Sequence, residues 1–286
     1  MKRTIFICCS ILFFMNSCQP DLNYEIKGYT QKVIVEGSIA SGEFAVVYLS
    51  LNVPVWEKID SANILNHVIR TAKVSVSDGE KTEILTSGWD KTHFPPYVYK
   101  GTDLRGVEGK TYTIKVEYSG ITLNAVTTIP YGTDIDEFSD TEAINNDSLR
   151  SILMSFTIDP KKKTSFKVYT KKKKDGFYTA TPLLFNSEFT LSGKQSFNIS
   201  PRPSTSDPSY SESANFASGD TIQVRFCALD SISTDFFKAL TFYSSNSGIG
   251  SAFFVGEKNP LKSNISLPGF GIWYGYAVRK YVYVVK

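Results

Sequence analysis

The sequence predicts a mostly all-β protein: an N-terminal immunoglobulin-like antiparallel sandwich, then a second β-rich sandwich or barrel-like domain carrying one short helix. Three observations predict it. Short runs rich in Val, Ile, Thr and Tyr recur over residues 32–128 and again from 151 onward, and their apolar/polar alternation has the strand period. Phrases such as Ser77-Asp78-Gly79 and Tyr118-Ser119-Gly120 punctuate them, because Gly and Asp accept the backbone angles of tight turns. Helical spacing appears in one stretch, where Ile232, Phe236, Phe237, Leu240 and Tyr243 recur.

In chain order, residues 18–30 form a polar tether containing Pro20 and Gly28. Strands are expected at Lys32–Ile39, Ala45–Leu51, Thr71–Ser77, Thr82–Leu85, Tyr97–Lys100, Thr111–Tyr118 and Ile121–Thr128, the last two joined as a tight hairpin. Seven short strands in about a hundred residues suit an immunoglobulin-like sandwich over 31–130, closed by Ile129-Pro130. Residues 131–150 read as an acidic linker and edge segment. The second domain, 151–286, is expected to hold strands at Ser151–Asp159, Phe166–Thr170, Phe177–Leu184, Glu188–Leu191, Thr221–Leu229, Gly271–Tyr276 and Arg279–Val285, with a hairpin turn at Asp175-Gly176. Ser233 or Thr234 caps the helix, whose aromatic face packs on the second sheet. Pro201–Ser213, rich in Pro and Ser, reads as a long exposed loop.

The 286 residues are 42% hydrophobic and 21% charged, which excludes a disordered or collagen-like polymer. Lys plus Arg number 31 against 28 Asp plus Glu, and loss of Lys2 and Arg3 with a leader leaves 29 against 28. Nucleic-acid binding, which needs clustered cations, is not expected.

Lys2 and Arg3 precede a run of eleven mostly apolar residues, Ile5 to Met15. A bilayer crossing needs about twenty, so residues 1–17 read as an export signal. Cys18 follows Ser17 and resembles a bacterial lipobox: a small residue lets the scissile bond enter the peptidase, and the thiol accepts diacylglycerol. Cys8 and Cys9 leave too short an apolar run before them. At about 0.8 kcal/mol per buried methylene, several acyl chains on Cys18 would hold the protein to a membrane. Cys227 is the only cysteine in the body of the chain, so no disulfide is expected there.

No catalytic set emerges. His67 and His93 are the only imidazoles; with one body cysteine they do not make the usual zinc ligand set, and no Gly-x-Ser-x-Gly phrase nominates a serine nucleophile. Gly106-Val107-Glu108-Gly109-Lys110-Thr111 has too short a spacing between its glycines for a phosphate loop and reads as a tight turn. Asp134, Asp136, Glu137 and Asp140 offer carboxylates to Ca²⁺ but read as a solvated linker. Lys171 to Lys174 read as a solvated hairpin tip. No metal and no cofactor is expected. The candidate ligand-binding residues are Trp56, Trp89, His93, Phe94 and Tyr97, whose aromatic density suits sugars or peptides; alternation across Tyr97–Tyr99 would equally bury rings between sheets. The cluster Phe270, Trp273, Tyr274, Tyr276, Tyr281 and Tyr283 is expected mostly to line the second core.

A resemblance adds to this reading. Val33-Ile34-Val35-Glu36-Gly37, Val47-Tyr48-Leu49-Ser50, Ala72 to Gly79, Tyr99-Lys100-Gly101, Glu108 to Tyr112 and Thr127-Thr128-Ile129-Pro130 occur in this order. Asp159-Pro160, Asn259-Pro260, Ser263-Asn264-Ile265 and Gly269 to Trp273 follow. Together they make the chain similar to a family of Bacteroidota lipoproteins known as domain of unknown function 4249. The resemblance implies a lipid-anchored outer-membrane protein acting beside a TonB-dependent transporter, and it offers no catalytic residue. The expected function is accordingly non-enzymatic, as an accessory or substrate-capture partner of such a transporter. A surface structural or adhesive protein is the alternative, and a carbohydrate-active enzyme ranks behind both.

Overall fold

A strand that alternates apolar and polar residues buries one face, and that face needs a second layer to cover it. The computed structural model describes residues 30–54, 57, 60, 63–91, 93, 96–143, 146–159, 164–173, 178–180, 185–186, 193–199, 215–245 and 261–286. In these the first eight strands are β1 (Val33–Ala40), β2 (Phe44–Leu51), β3 (Lys73–Ser77), β4 (Thr82–Ile84), β5 (Thr86–Trp89), β6 (Tyr97–Arg105), β7 (Thr111–Tyr118) and β8 (Ile121–Thr128). Then come β9 (Glu137–Ala143), β10 (Asn146–Ile158), β11 (Ser165–Lys172), β12 (Thr179–Ala180), β13 (Phe185–Asn186), β14 (Gly193–Ile199), β15 (Phe216–Ala217) and β16 (Thr221–Leu229). The helix α1 (Ser231–Ser245) and β17 (Phe270–Val284) complete the order.

Three sheets result, and among the described residues none closes into a barrel. The largest runs β12-β11-β16-β17-β1-β2-β6-β5, with β13 also on β11. Its centre is a parallel pair, β1 on β17, in register from Ile34 opposite Phe270 to Ala40 opposite Tyr276. Strands from both halves of the chain therefore share one sheet. The second sheet, β4-β3-β7-β8, comes from the N-terminal half, and the third, β14-β10-β15 with β9 on β10, from the C-terminal half.

Both smaller sheets cover the same face of the large one over a single contiguous core. Trp273 of β17 is fully buried, and its indole N–H donates to the Tyr112 carbonyl of β7 at 3.1 Å. Phe156 of β10 meets Phe166 and Phe226 of the large sheet at ring separations of 5.0 and 4.8 Å. Close approach explains two glycines. A Cβ on Gly37 would lie 2.8 Å from the Trp273 ring, and one on Gly271, at φ +129°, would lie 2.0 Å from the Val35 carbonyl oxygen. The amide of Asn264 brackets the Trp273 backbone, donating to its carbonyl at 2.7 Å and accepting from its N–H at 2.9 Å.

The β7–β8 hairpin turns at Ser119 and Gly120, both with positive φ, the turn whose twist matches paired strands. Residues 107–110 form a tight turn leading into β7, with Lys110 N–H donating to the Val107 carbonyl.

Several expectations change. The acidic stretch after residue 131 supplies β9, an edge strand on β10. Asn146–Ile158 and Tyr97–Arg105 are longer than expected, and the strands expected at 271–276 and 279–285 are one strand, β17. The expected strands are joined by β5 and β14, which have few apolar residues, and by β13 and β15, which at two residues each are too short to show alternation. The helix is capped by Asp230 rather than Ser233 or Thr234: its carboxylate accepts from the Ser233 N–H at 2.7 Å and from the Ser233 hydroxyl. Ser233, Thr234, Phe236 and Ala239 face inward, leaving Ile232 and Leu240 exposed. Of the C-terminal aromatic cluster, Trp273 enters the core, Tyr281 and Tyr283 pack on Phe138 of β9, and Tyr274 and Tyr276 lie on the opposite face. The signal segment, most of the tether, the Asp175-Gly176 turn, the strand expected at 188–191 and the loop at 201–213 lie outside the described residues.

Candidate functional site

Because successive side chains point to opposite faces, the core positions Val35, Val47, Phe226 and Val168 fix what lies on the outer face of the large sheet. That face carries Lys167 and Tyr169 of β11, Arg225 and Cys227 of β16, Tyr274 and Tyr276 of β17, Glu36 and Ser38 of β1, and Tyr48 of β2.

Its rings form a connected row. Phe237 of α1 meets Tyr274 edge to face at 5.2 Å, and Tyr274 stacks on Tyr276 at 5.6 Å and 24°. The Lys167 ammonium lies 4.4 Å from the Phe237 ring centre and 5.2 Å from that of Tyr169, within cation–π range. All five side chains are partly buried. Burial pushes the phenols of Tyr169, Tyr274 and Tyr276 up, so they stay neutral hydroxyls, and lowers the Lys167 ammonium below its usual value. The row thus presents flat apolar surface, hydroxyls and a cation, but no activated nucleophile: burial raises the Cys227 thiol to about 12.

At one end of the face, Arg225 donates to Glu43 at 2.8 Å, and Lys280 lies 2.6 Å from the other oxygen of the same carboxylate. Burial acts to raise Glu43, but hydrogen bonds from these two cations outweigh it and hold the carboxyl below its usual value. At the other end His93 stacks on Tyr48 at 3.5 Å and lies 3.6 Å from a Glu36 oxygen, while the Tyr48 hydroxyl donates to Asp90 at 2.9 Å.

The structure divides the residues nominated from sequence. Trp89 and Tyr97 pair across β5 and β6, edge to face at 5.6 Å, on the same side of the sheet as buried Tyr99. His93 sits with Tyr48 on the other side, so the three do not form one site. Trp89 is 60% exposed at the sheet edge. Trp56 and Phe94 lie outside the described residues, as do Cys18 and Lys174. Nothing local in the sequence groups Lys167, Phe237 and Tyr274; the one signal it carries is alternation, with Lys167 and Tyr169 between Phe166, Val168 and Thr170.

The acidic residues weighed for Ca²⁺ are dispersed. Asp134 pairs with Arg279 at 3.0 Å, Asp136 accepts from the Thr157 hydroxyl at 2.7 Å, Glu137 pairs with Lys194 at 3.1 Å, and Asp140 accepts from the Tyr283 hydroxyl. Among the described residues no group of three metal-ligating side chains gathers. His67 meets Glu57 at 3.1 Å.

A family model described as "Domain of unknown function (DUF4249)" matches residues 18–281. No curated protein matches the chain. Two similar solved structures, both described as cytokine receptor complexes, are 8% and 7% identical, each covering 68% of this chain and 89% and 82% of theirs, with a TM-score of 0.24 in both cases. Likeness at that level carries no argument.

Proposed function

Since the chain belongs to this family of unknown function, we propose that it is a non-enzymatic, lipid-anchored outer-membrane protein that captures substrate for, or assembles with, a TonB-dependent transporter. The observation that carries the binding half of this reading is the outer face of the large sheet. Its row of partly buried rings beside a cation suits holding a ligand, while its one thiol is raised far out of the reactive range. The anchoring half is supported by Lys2, Arg3, the apolar run to Met15 and Cys18 after Ser17.

Lipid on Cys18 places the body at a membrane surface, with residues 19–30 as spacer. The test is fractionation followed by capture. Mass spectrometry of the protein from the envelope is expected to find acylated Cys18 as the first residue, and affinity purification is expected to recover a transporter. A bare terminus and soluble product would overturn the anchoring, and repeated recovery without a transporter would overturn the partnership.

A further inference from the structure

The geometry points to a binding site for an acidic oligosaccharide on the outer face of the large sheet, with Lys167 holding a carboxylate and Phe237, Tyr274 and Tyr276 stacking against the sugar rings. This assigns a ligand class to the capture role above and rests on that reading.

The cation comes first. Among the described residues, no carboxylate lies within ion-pair distance of Lys167, whose close neighbours are the rings of Phe237 and Tyr169. Neighbouring cations of the sheet do have acids: Arg225 and Lys280 share Glu43, and Lys172 meets Asp220 at 3.1 Å. A partly desolvated ammonium held over ring faces, with the Glu36 carboxylate of β1 acting on it only from beyond ion-pair distance, gains from an anion brought by a ligand, since a charge-assisted hydrogen bond replaces water it has already lost.

The rings then select what carries the anion. Phe237 contacts both Lys167 and Tyr274, and Tyr276 continues the row, so apolar ring surface starts at the cation and extends away from it. The Ser38 hydroxyl is hydrogen-bonded to Tyr274. A pyranose fits such a surface, with an apolar C–H face for stacking and hydroxyls around its rim. A peptide fits less well. β16, β17 and β1 are interior strands whose backbone groups are used in ladders, so an extended chain would find no main-chain partners of the kind a sheet edge provides.

The charge also favours more than one acidic sugar. Arg225 lies two residues along β16 from Cys227, the residue opposite Lys167, a step of about 7 Å along the strand. There Arg225 and Lys280 together carry one more positive charge than Glu43 cancels.

The experiment is calorimetric titration of the full-length protein, purified in detergent, with trigalacturonate and with its neutral galactose counterpart. Wild type is expected to bind the acidic trimer. Lys167→Met should weaken that binding about tenfold or more and leave the neutral trimer within about twofold, while Lys167→Arg retains most of the acidic preference. Tyr274→Ala should weaken both trimers, and Tyr274→Phe, which keeps the ring, should weaken them less. No binding of trigalacturonate at millimolar concentration, equal binding by Lys167→Met, or Lys167-dependent binding only to phosphatidylglycerol vesicles would each overturn the assignment. Failure here leaves lipid attachment and transporter capture to be judged by their own assays.

Discussion

Glu83 offers a sharp test of how the large sheet is held to its neighbour. It lies on β4, is 7% exposed, and wraps its carboxylate with backbone N–H groups of β6: Thr102 at 2.5 Å, Asp103 at 2.9 Å and Leu104 at 2.8 Å, with the Thr102 hydroxyl at 3.2 Å. Gly101 allows the approach, since a Cβ there would meet the carboxylate at 3.1 Å. Glu83→Ala removes the acceptor from all three amides. Thr102 and Asp103 are exposed and their amides can take water, whereas Leu104 is buried, so the cost is about 2–4 kcal/mol, or about 3–7 °C in Tm for a chain of this size. Glu83→Gln keeps one oxygen but loses the charge and sets an NH₂ against N–H donors, for about 1–2 kcal/mol. Burial acts to raise Glu83, but hydrogen bonds from the Thr102, Leu104 and Asp103 amides outweigh it and hold the carboxyl below 4.5. The unfolded chain therefore takes up this proton at higher pH than the folded one. The stabilisation is complete well above 4.5 and is lost as pH falls through the folded value. Urea unfolding of wild type and Glu83→Gln from neutral pH downward should show the gap between them closing in that window. A Glu83→Ala protein within about 0.5 kcal/mol of wild type at neutral pH, or a gap independent of pH, would refute the account.

Three further outcomes follow from the same packing. Trp273→Ala should cost about 3–5 kcal/mol and Gly37→Ala about 1–3 kcal/mol, and adding Gly37→Ala to Trp273→Ala should cost far less, because the clash at 2.8 Å is with that ring; urea unfolding of the four proteins measures the coupling. Cys227 should resist iodoacetamide at pH 8 in the native protein and react once urea unfolds it, read by mass spectrometry of its peptide, because it is buried with its thiol raised to about 12. Glu43→Gln should destabilise by about 1–2 kcal/mol at neutral pH, a deficit that fades as pH falls through the lowered Glu43 value, visible in thermal melts across pH.

What the sequence revealed depended on whether each feature was local. The strands Thr111–Tyr118 and Ile121–Thr128 and their turn match expectation residue for residue, because alternation and Ser119-Gly120 act within a few positions. β9 is legible only as an acidic linker and edge segment, because Glu137, Asp140 and Glu142 leave it few apolar positions, and pairing with β10 is what makes it a strand. The cap moved to Asp230 because Ser233 and Thr234, nominated as caps, instead bond back to it. The outer face was least visible. Lys167, Phe237 and Tyr274 come from three elements, and alternation says that Tyr274 opposes Trp273 without saying which residues stand beside it. The local crowding of aromatics at 89–99, the strongest sequence signal for a site, instead splits between two faces of the sheet.

The parallel pairing of β1 with β17 means that the centre of the large sheet cannot close until the end of the chain is present. A chain emerging in order has residues 33–40 at hand long before 270–284 exist to lie beside them, and contacts so distant in sequence slow folding. Until then β1 and β16 each keep a row of unanswered amide and carbonyl groups, the kind of edge that recruits strands from other chains. Truncation anywhere ahead of residue 270 would leave that gap permanent, so fragments of this protein should aggregate where the intact chain does not.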